Sequence, residues 1–590
     1  MKVRRYQKVW LLMLMISLIP SLILGACTTK ATTTSTTKQT IKNPDTFIEE
    51  IIGDPQTLDP AAAYDTTSSS YIELVYDTLI TLHKTSTTQF DNSISDQSTV
   101  SADGKTYRFH IRKGVKFSNG DVLTPADVEY SFERGMVQDY SGGPQWLLFF
   151  PFFGTYSSRD ADGKLIPLSQ LESAVNVDGE WVQFNLAAAF EPFKQILCQS
   201  WASIMDKAWC IQQGDWDGTE ASYEKLNNPA ADAWPLHKIM MGSGPFTFNY
   251  WTQGTEITFT RNDNYWSTKA NFKSVVAKTV SEWTDRKLAL EAGDADYVDV
   301  MLPQYSELDG VSGITAYKQL ATESVDGIFF TYNISDKSTF IGSGKLDGQG
   351  IPTDFFTDIN VRKAFAYSFD YATFINQVLS GNGVQPDSPI IQGLSYYNPD
   401  IPKYSFDAQK ATELFKAAWG GQVWTNGFTM TLAYNSGNTT RKTACDILAA
   451  DINALNPKFH VISAAQQWNS YSSQWLAKLL PVFVVGWQMD YPDASDFIQP
   501  FMSTAGVYSS AQGYGDAATD ILINQAANET DKAKRQTEYD SLSTKFYNDC
   551  PGVMIDQATV NRYLKDWVKG YFYNPAEVSA SGCNIYYLSK

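Results

Sequence analysis

The sequence predicts an α/β protein, and two stretches of the chain carry most of that prediction. The apolar, β-branched-rich run Pro481–Val485 is typical of a strand buried on both faces, as the strands of parallel sheets are. A second strand over Thr429–Tyr434 precedes a loop from Asn435 to Thr440 and an amphipathic helix over Arg441–Leu455. Such a βα unit places its loop at the sheet edge where ligands of open α/β sheets bind.

Length and composition indicate a large globular protein that does not bind nucleic acid. A chain of 590 residues exceeds the size of a single hydrophobic core, so more than one folding unit is expected. Its 16 Trp, 32 Tyr and 33 Phe suit a protein that binds organic ligands, although many of these rings are expected to lie in the hydrophobic core. The formal net charge of -18 repels phosphate backbones.

The N-terminus has the pattern of an export signal. A basic stretch, Lys2 to Lys8, precedes the apolar run Val9–Leu24, which predicts a signal peptide over residues 1–26. Leu24-Gly25-Ala26-Cys27 resembles a bacterial lipobox, in which Cys27 becomes the lipidated first residue of the mature chain; the alternative is an ordinary signal with an incidental cysteine. Lipidation anchors the protein to the outer face of the cytoplasmic membrane. Residues 27–44 then form a Thr-rich tether.

Folding is predicted to begin near Asp45. The stretch Phe47–Ile52 is strand-like, and Ser70–Leu82 has the apolar spacing of a helix. Within Ser101–Arg134, a hairpin precedes a helix that Thr124 caps and Pro125 opens.

A further helix is predicted to begin after Asp358. Its apolar face is formed by Val361, Phe365 and Phe369. Arg362 therefore falls on the face that we expect to be solvated.

The cysteines and histidines indicate neither a metal nor a cofactor site. Outside the cytoplasm, Cys198–Cys210 and Cys550–Cys583 are plausible disulfides, although the sequence leaves the connectivity open. Cys445 lies at helical spacing among apolar residues, which predicts a buried thiol. The four histidines are far apart and no CxxC, HExxH or GxSxG motif occurs, so no metal, cofactor or catalytic residue is assigned.

The end of the Pro481–Val485 strand is the best candidate for ligand chemistry. Gly486 and Trp487 follow the strand, and Asp490 and Tyr491 come next. A carboxylate beside indole and phenol rings can hold a cation in a partly dry aromatic site. The alternative is that Asp490 starts a turn and Trp487 is core.

Several motifs in a fixed order connect the chain to a known family. They are Thr57-Leu58-Asp59-Pro60, the Ser101–Arg134 stretch, Gly242-Ser243-Gly244-Pro245-Phe246, the stretches 261–266, 289–296 and 361–370, and finally Gly486-Trp487 with Asp490. Together they resemble the family 5 extracellular solute-binding proteins, the peptide/nickel-type lipoproteins that serve ABC importers.

The resemblance implies a two-lobed fold of the type II periplasmic-binding-protein class, with mixed sheets flanked by helices and a hinge between the lobes. The first lobe is expected to comprise residues 45–325 and 556–590, with an extra subdomain within 86–237, and the second lobe residues 326–555. A monomeric carrier of this kind closes over its ligand and passes it to the importer's membrane subunits, and it makes or breaks no bond.

The resemblance also implies which residues bind the ligand, for which a peptide is preferred. Asp490 is expected to pair with the ligand's α-ammonium, and Trp487, Tyr491 and Trp468 to form pocket wall. From the first lobe Tyr64, Asp65 and Gly244 would approach, and Asn435 begins the loop that faces the same cleft. Some peptide binders carry an Arg two residues before the Gly of this motif, where this chain has Val484, so the partner of a peptide's C-terminus is unassigned.

Other functions remain open at this point. Members of the resembled family also bind oligosaccharides and nickel chelates. A secreted glycoside hydrolase would also use an aromatic cleft with carboxylates, and it predicts two of them at catalytic separation. A surface adhesin or sensor predicts a fixed interface instead of a closing cleft.

Overall fold

The computed structural model describes residues 41–590 except residues 161 and 230–232. The predicted signal peptide, Cys27 and the first part of the tether lie outside the described residues. The strands are β1 (Thr46–Ile51), β2 (Ile80–Leu82), β3 (Phe90–Asn92), β4 (Ser95–Val100), β5 (Thr106–Ile111), β6 (Val175–Asp178), β7 (Trp181–Asn185), β8 (Phe246–Thr252), β9 (Glu256–Arg261), β10 (Ser274–Thr279), β11 (Tyr297–Val298), β12 (Ile314–Ala321), β13 (Ser324–Phe330), β14 (Gly383–Val384), β15 (Phe428–Asn435), β16 (Phe459–Gln466), β17 (Val482–Gln488) and β18 (Gly552–Lys565).

Helices flank these strands throughout the described part of the chain. The α-helices are α1 (Thr66–Val75), α2 (Pro125–Gln138), α3 (Trp146–Phe153), α4 (Leu168–Glu172), α5 (Phe193–Ile196), α6 (Lys207–Gln212), α7 (Glu220–Leu226), α8 (Trp283–Ala292), α9 (Tyr305–Leu308), α10 (Ile359–Ser368), α11 (Tyr371–Thr373), α12 (Ala408–Ala417), α13 (Gln422–Asn426), α14 (Thr439–Leu455), α15 (Trp468–Leu476), α16 (Ser495–Met502), α17 (Val507–Gln512), α18 (Ala517–Asn528) and α19 (Lys532–Asp549). Short 3₁₀ turns cover Ser200–Ala202, Leu302–Gln304, Phe355–Thr357, Ala418–Gly421 and Ile585–Tyr587, and a π-helical turn covers Phe374–Val378. Within the described residues, none of these helices is long and apolar enough to span a membrane.

The largest sheet is mixed and has the strand order β16-β15-β17-β13-β18-β11-β1-β10-β9-β8. β15 runs parallel to β16 and β17, and β1 runs parallel to β10 and β11, whereas β13 is antiparallel to both of its neighbours. The long strand β18 joins the two halves of this sheet. Its first residues pair with β13 and β14, and its last residues pair with β12 and β11.

Most predicted elements are confirmed. β17 is the expected strand with Val482 to Val485 buried, and β15 with α14 is the expected βα unit. Thr124 and Asp127 form the N-terminal cap of α2 by hydrogen bonding to each other, and Pro125 is the first residue of that helix.

Two expectations are wrong. The helix predicted over Ser70–Leu82 is α1, which begins at Thr66 because Asp65 accepts a hydrogen bond from the Ser68 N–H, and it ends at Val75. Arg362 is not solvated but is 5% exposed, because its guanidinium donates to the carbonyl oxygens of Phe356, Asp549 and Cys550. A long cation can serve as a buried cross-link when backbone acceptors surround it.

The described cysteines, which run from Cys198 to Cys583, are all free thiols, which corrects both predicted disulfides. Cys550 is buried in a core cluster formed by residues 328–555, whereas Cys583 is buried in a different cluster with residues from the first 300 positions. The Cys198 thiol instead contacts the Lys194 carbonyl. Cys445 is buried, as predicted.

A second sheet, in the order β4-β5-β7-β6, lies within residues 86–237 and is anchored by a buried ion pair network. Arg134 of α2 binds both carboxylate oxygens of Asp59 at 2.9 and 2.6 Å and one oxygen of Asp215 at 2.5 Å. All three side chains are at most 1% exposed. The Asp59 of the Leu-Asp-Pro motif is therefore a structural residue that fixes α2 to the chain entering α1.

Arg134→Met is expected to lower the free energy of unfolding by about 3–5 kcal/mol, because it leaves two buried carboxylates without their counter-charge. The matched control is Lys442→Met, which removes the same charge from an exposed pair with Asp446 and should change stability by at most about 1 kcal/mol. Urea unfolding followed by circular dichroism measures both. Equal effects in the two variants would contradict the anchoring role of Arg134.

Candidate functional site

A cavity of about 710 Å³ opens where segments far apart in sequence meet. The start of α1, the β12–β13 turn, the end of β17, β18 and the C-terminal tail all contribute. Its lining residues are Ile51, Tyr64, Asp65, Thr66, Thr67, Ser69, Ser70, Gln199, Trp201, Asp299, Thr322, Glu323, Ser324, Trp487, Gln488, Met489, Asp490, Arg562, Tyr573, Pro575, Ala576, Glu577, Val578, Ser579, Ala580 and Gly582. The volume is in the range of small-ligand pockets.

Asp490 and Tyr64 meet in this cavity although 426 positions separate them. The Tyr64 hydroxyl donates to Asp490 Oδ1 at 2.5 Å, and it accepts a hydrogen bond from the indole N–H of Trp146 at 3.2 Å. Burial raises the pKa of Asp490 to about 6, and the hydrogen bond from Tyr64 partly offsets that rise. A carboxylate in this setting gains more from a cationic partner than one in water does.

The backbone around Asp490 is held by a second carboxylate. Asp496, on α16, accepts from the Asp490 N–H at 2.8 Å and from the Trp487 indole at 3.3 Å. Burial and the nearby charge of Asp490 raise the pKa of Asp496 well above its ordinary value. Asp496 thus orients both the acid and the ring of the predicted cation site.

The position before Trp487 must be glycine, because neighbouring side chains leave no room for a Cβ atom on residue 486. A Cβ atom on Gly486 would lie 2.3 Å from Asp326 Oδ1 and 3.1 Å from Arg441 Nη2. These two groups form an ion pair at 2.8 Å, and Arg441 also donates to Asn435 at 3.2 Å. Asn435, expected to face the ligand, instead holds Arg441 at the end of β15.

Three of the other predicted residues do not reach the cavity. Tyr491 is buried, with its ring against Phe190 and its hydroxyl hydrogen bonded to Ser495. Trp468 opens α15 and is 49% exposed. Gly244 packs against the backbone of Val75, where a Cβ atom would meet the carbonyl carbon at 2.6 Å.

The structure brings four of the predicted residues together in the cavity, namely Asp490, Trp487, Tyr64 and Asp65. Asp65 has two roles: one carboxylate oxygen caps α1 through the Ser68 N–H at 2.8 Å, and the other is buried without a hydrogen-bond partner.

Several cavity residues have no local sequence signal. Glu323 lies in the β12–β13 turn, Arg562 in β18 and Glu577 in the C-terminal tail. Burial raises the pKa of both glutamates. Asp65, Asp299 and Asp490 add three more carboxyl groups, so Arg562 is the one basic residue among the residues that line the cavity. A lining rich in carboxyl oxygens favours a ligand that presents hydrogen-bond donors such as an ammonium group.

The fold is that of the type II periplasmic binding proteins. HbpA2 from Haemophilus parasuis superimposes with a TM-score of 0.72 at 20% sequence identity, covering 92% of this chain and 99% of that one. In sequence, the chain is 23% identical to heme-binding protein A of Haemophilus influenzae over 94% of its own length and 95% of that protein. It is 25% identical to the dipeptide-binding protein of Escherichia coli over 88% and 90% of the two chains.

The family model of the bacterial extracellular solute-binding proteins, family 5 (Middle), matches residues 91–509. The chain therefore belongs to this family of solute-binding proteins, and the family predicted from the motifs is confirmed.

Without ligand, Asp490→Asn should be about 1–2 kcal/mol more stable than the wild type at pH 7.5, with no difference at pH 4. The pKa of Asp490 in the folded protein, about 6, lies above its ordinary value of 3.8, so ionisation of this carboxyl destabilises the fold as pH rises through this interval. Urea unfolding at pH 4, 5, 6 and 7.5 gives the comparison. The control is Glu413→Gln, at an exposed site of α12, which should show no such trend. A variant that is less stable than the wild type at pH 7.5 would show that the fold needs the charged carboxylate.

Proposed function

We propose that the protein captures peptides outside the cytoplasm and delivers them to an ABC importer. The observation that carries the proposal is the Asp490 carboxylate, which lines the cavity and is hydrogen bonded by the Tyr64 hydroxyl at 2.5 Å. A peptide's α-ammonium offers N–H donors in place of the phenol's O–H, together with a full positive charge. It can therefore replace or join the Tyr64 hydroxyl at Asp490 and form a charge-assisted hydrogen bond.

Backbone groups near Asp490 support an extended ligand. The β12–β13 turn at Thr322–Ser324 and the end of β17 at Gln488–Asp490 both line the cavity. A peptide that pairs with such segments gains affinity from main-chain hydrogen bonds, which tolerate many side chains.

The proposed lobes are residues 45–325 with 556–590, and residues 326–555. Separate core clusters support this division, since one draws almost entirely on residues before 298 and after 563, and another only on residues 328–555. Polar contacts join the two parts: Tyr64 with Asp490 in the cavity, and elsewhere Glu191 with Arg535 at 2.8 Å and Tyr156 with Gln499 at 2.7 Å. A ligand stabilises the closed form, in which these contacts are made, only to the extent that the ligand binds the closed form more tightly than the open form.

Among the solutes named for the relatives, the lining of the cavity favours a peptide over heme. The dipeptide-binding relative takes a ligand with an ammonium group, whereas heme carries two propionates. Five carboxyl groups and one guanidinium line the cavity, and burial favours the neutral form of the two glutamates among them. Carboxyl oxygens in either form accept hydrogen bonds from an ammonium group, whereas one guanidinium matches only part of the charge of a dianion. We also propose that the ligand leaves unaltered, in keeping with a family of solute-binding proteins.

Asp490→Asn is expected to weaken peptide binding by about 2–5 kcal/mol, because the ligand's ammonium is then buried without a counter-charge. The measurement is isothermal titration calorimetry, after removal of co-purified ligand, with an equimolar pool of di- to pentapeptides that have free termini. The same pool with acetylated N-termini is the matched probe. It should bind the wild type and Asp490→Asn with similar, weak affinity.

Wild-type protein that binds neither pool would overturn the peptide proposal. If the free and acetylated pools bound equally well, peptides would remain the ligand but Asp490 would lose its assigned role.

The N-terminal predictions remain proposals. Replacement Cys27→Ser should release the exported protein from the membrane fraction, because the acyl chains that would anchor it require the thiol. Fractionation and immunoblotting of cells that express the wild type and the variant measure this. The control is Cys445→Ser, a buried position that should leave the membrane fraction unchanged. A Cys27→Ser protein that stays membrane-bound would contradict the lipid anchor.

A further inference from the structure

Arg562 is an unpaired cation in the wall of the cavity. It lies in β18, opposite Tyr317 of β12. Its side chain makes no ion pair or hydrogen bond with any described residue, and its Nε atom is buried without a partner. By contrast, the fully buried side chains of Arg134, Arg286 and Arg535 have partners: Arg134 binds Asp59 and Asp215, Arg535 binds Asp493, and Arg286 binds backbone carbonyls.

The polar groups around Arg562 are already hydrogen bonded to other atoms. Its electrostatic neighbours are three tyrosines and Asp299. The hydroxyls of Tyr297, Tyr571 and Tyr573 donate to the carbonyl oxygens of Ala580, Ser581 and Ala321 at 2.7 to 2.8 Å.

Asp299 is an electrostatic neighbour of the guanidinium but makes no hydrogen bond or close ion pair with it. One of its carboxylate oxygens accepts from the Ile52 N–H at 2.9 Å, and the other is 3.2 Å from the Tyr297 hydroxyl. The surrounding wall therefore offers the guanidinium the electrostatic attraction of Asp299 but no hydrogen-bond acceptor.

Arg562 is partly buried, and a guanidinium with a buried Nε and no partner is costly, so native proteins rarely retain one without a reason. Because Arg562 faces a ligand cavity, the missing partner can come from the ligand. The planar fork of a guanidinium fits a carboxylate in a bidentate pair, which suits a peptide's C-terminus.

We propose that Arg562 binds the C-terminal carboxylate of the ligand, which makes this a site for short peptides with both termini free. The inference rests on the proposed function, since it assumes a peptide whose α-ammonium is held by Asp490. The two opposite charges line one cavity of about 710 Å³, so a ligand that contacts both must be short enough to lie within it. Val484 stands where some peptide binders carry an Arg, and it is buried in β17, so it cannot bind a peptide's C-terminus. Arg562 of β18 supplies that partner instead.

The test compares two peptide pools of identical sequence composition, di- to pentapeptides with free C-termini and the same peptides amidated at the C-terminus. Titration calorimetry of the wild type should show at least about tenfold tighter binding of the free acids, because the amide cannot neutralise the guanidinium. Arg562→Gln should bind both pools alike, at the level of the amidated pool. Native mass spectrometry of the wild-type mixture should show the shorter free acids bound in preference.

Two measurements separate ligand binding from a structural role. Lys569→Gln removes an exposed charge just after the same strand and should keep the tenfold preference. Without ligand, Arg562→Gln should unfold at the same temperature as the wild type or higher, because the substitution removes a partly buried charge that has no hydrogen-bonded partner.

Equal binding of the free-acid and amidated pools by the wild type would overturn the role of Arg562 and leave peptide binding intact. A preference that survives in Arg562→Gln would overturn it too, as would a variant that loses both pools and unfolds at a lower temperature. Wild-type protein that binds neither pool would overturn the peptide proposal and this inference with it.

Discussion

The candidate site depends on one interaction, the burial of the Asp490 carboxylate against the Tyr64 hydroxyl. Burial makes the charged form of this acid expensive, and its pKa rises to about 6 as a result. Much of the surrounding structure holds this acid in place. Asp496 fixes its backbone, Trp146 fixes Tyr64, and the Gly486 position allows the chain to pass the Arg441–Asp326 pair. A cation that reaches the cavity thus meets an acceptor that is already oriented and partly shielded from water.

The fold supplies this arrangement by bringing distant segments to a shared sheet. Tyr64 precedes α1, and Asp490 follows β17 in the other half of that sheet. β18 belongs to both halves, since it pairs with β13 at its start and with β11 and β12 at its end. Because Arg562 lies in the later part of β18, the structure places opposite charges on separate elements that border the same cavity.

Local sequence patterns predicted the elements well and the site in part. The apolar run before Gly486, the cap at Thr124 and the βα unit ending in α14 all form as expected, since each is determined by neighbours in the chain. Asp490, Trp487, Tyr64 and Asp65 were found because family motifs lie beside them. Arg562, Glu323 and Glu577 could not be found this way, because only the tertiary pairing of β18 and the folding back of the tail bring them to the cavity. Tyr491 and Asn435 have side chains suited to a binding site, but their surroundings use them elsewhere. The Tyr491 side chain is buried in the core, and the Asn435 side chain accepts a hydrogen bond from Arg441.

The register of β18 makes the cavity sensitive to chain length. Successive side chains of a strand point to opposite faces, so Arg562 and its neighbour Tyr563 do not share a side. Tyr563 is fully buried against Tyr305, whereas Arg562 borders the open space. Insertion or deletion of a single residue between the β13-paired and β12-paired parts of β18 would exchange the two faces, moving the guanidinium into the packed interior and a phenol into the cavity. Relatives that keep this cavity chemistry are therefore expected to vary in length at the loops around β18 and to hold the spacing inside it constant.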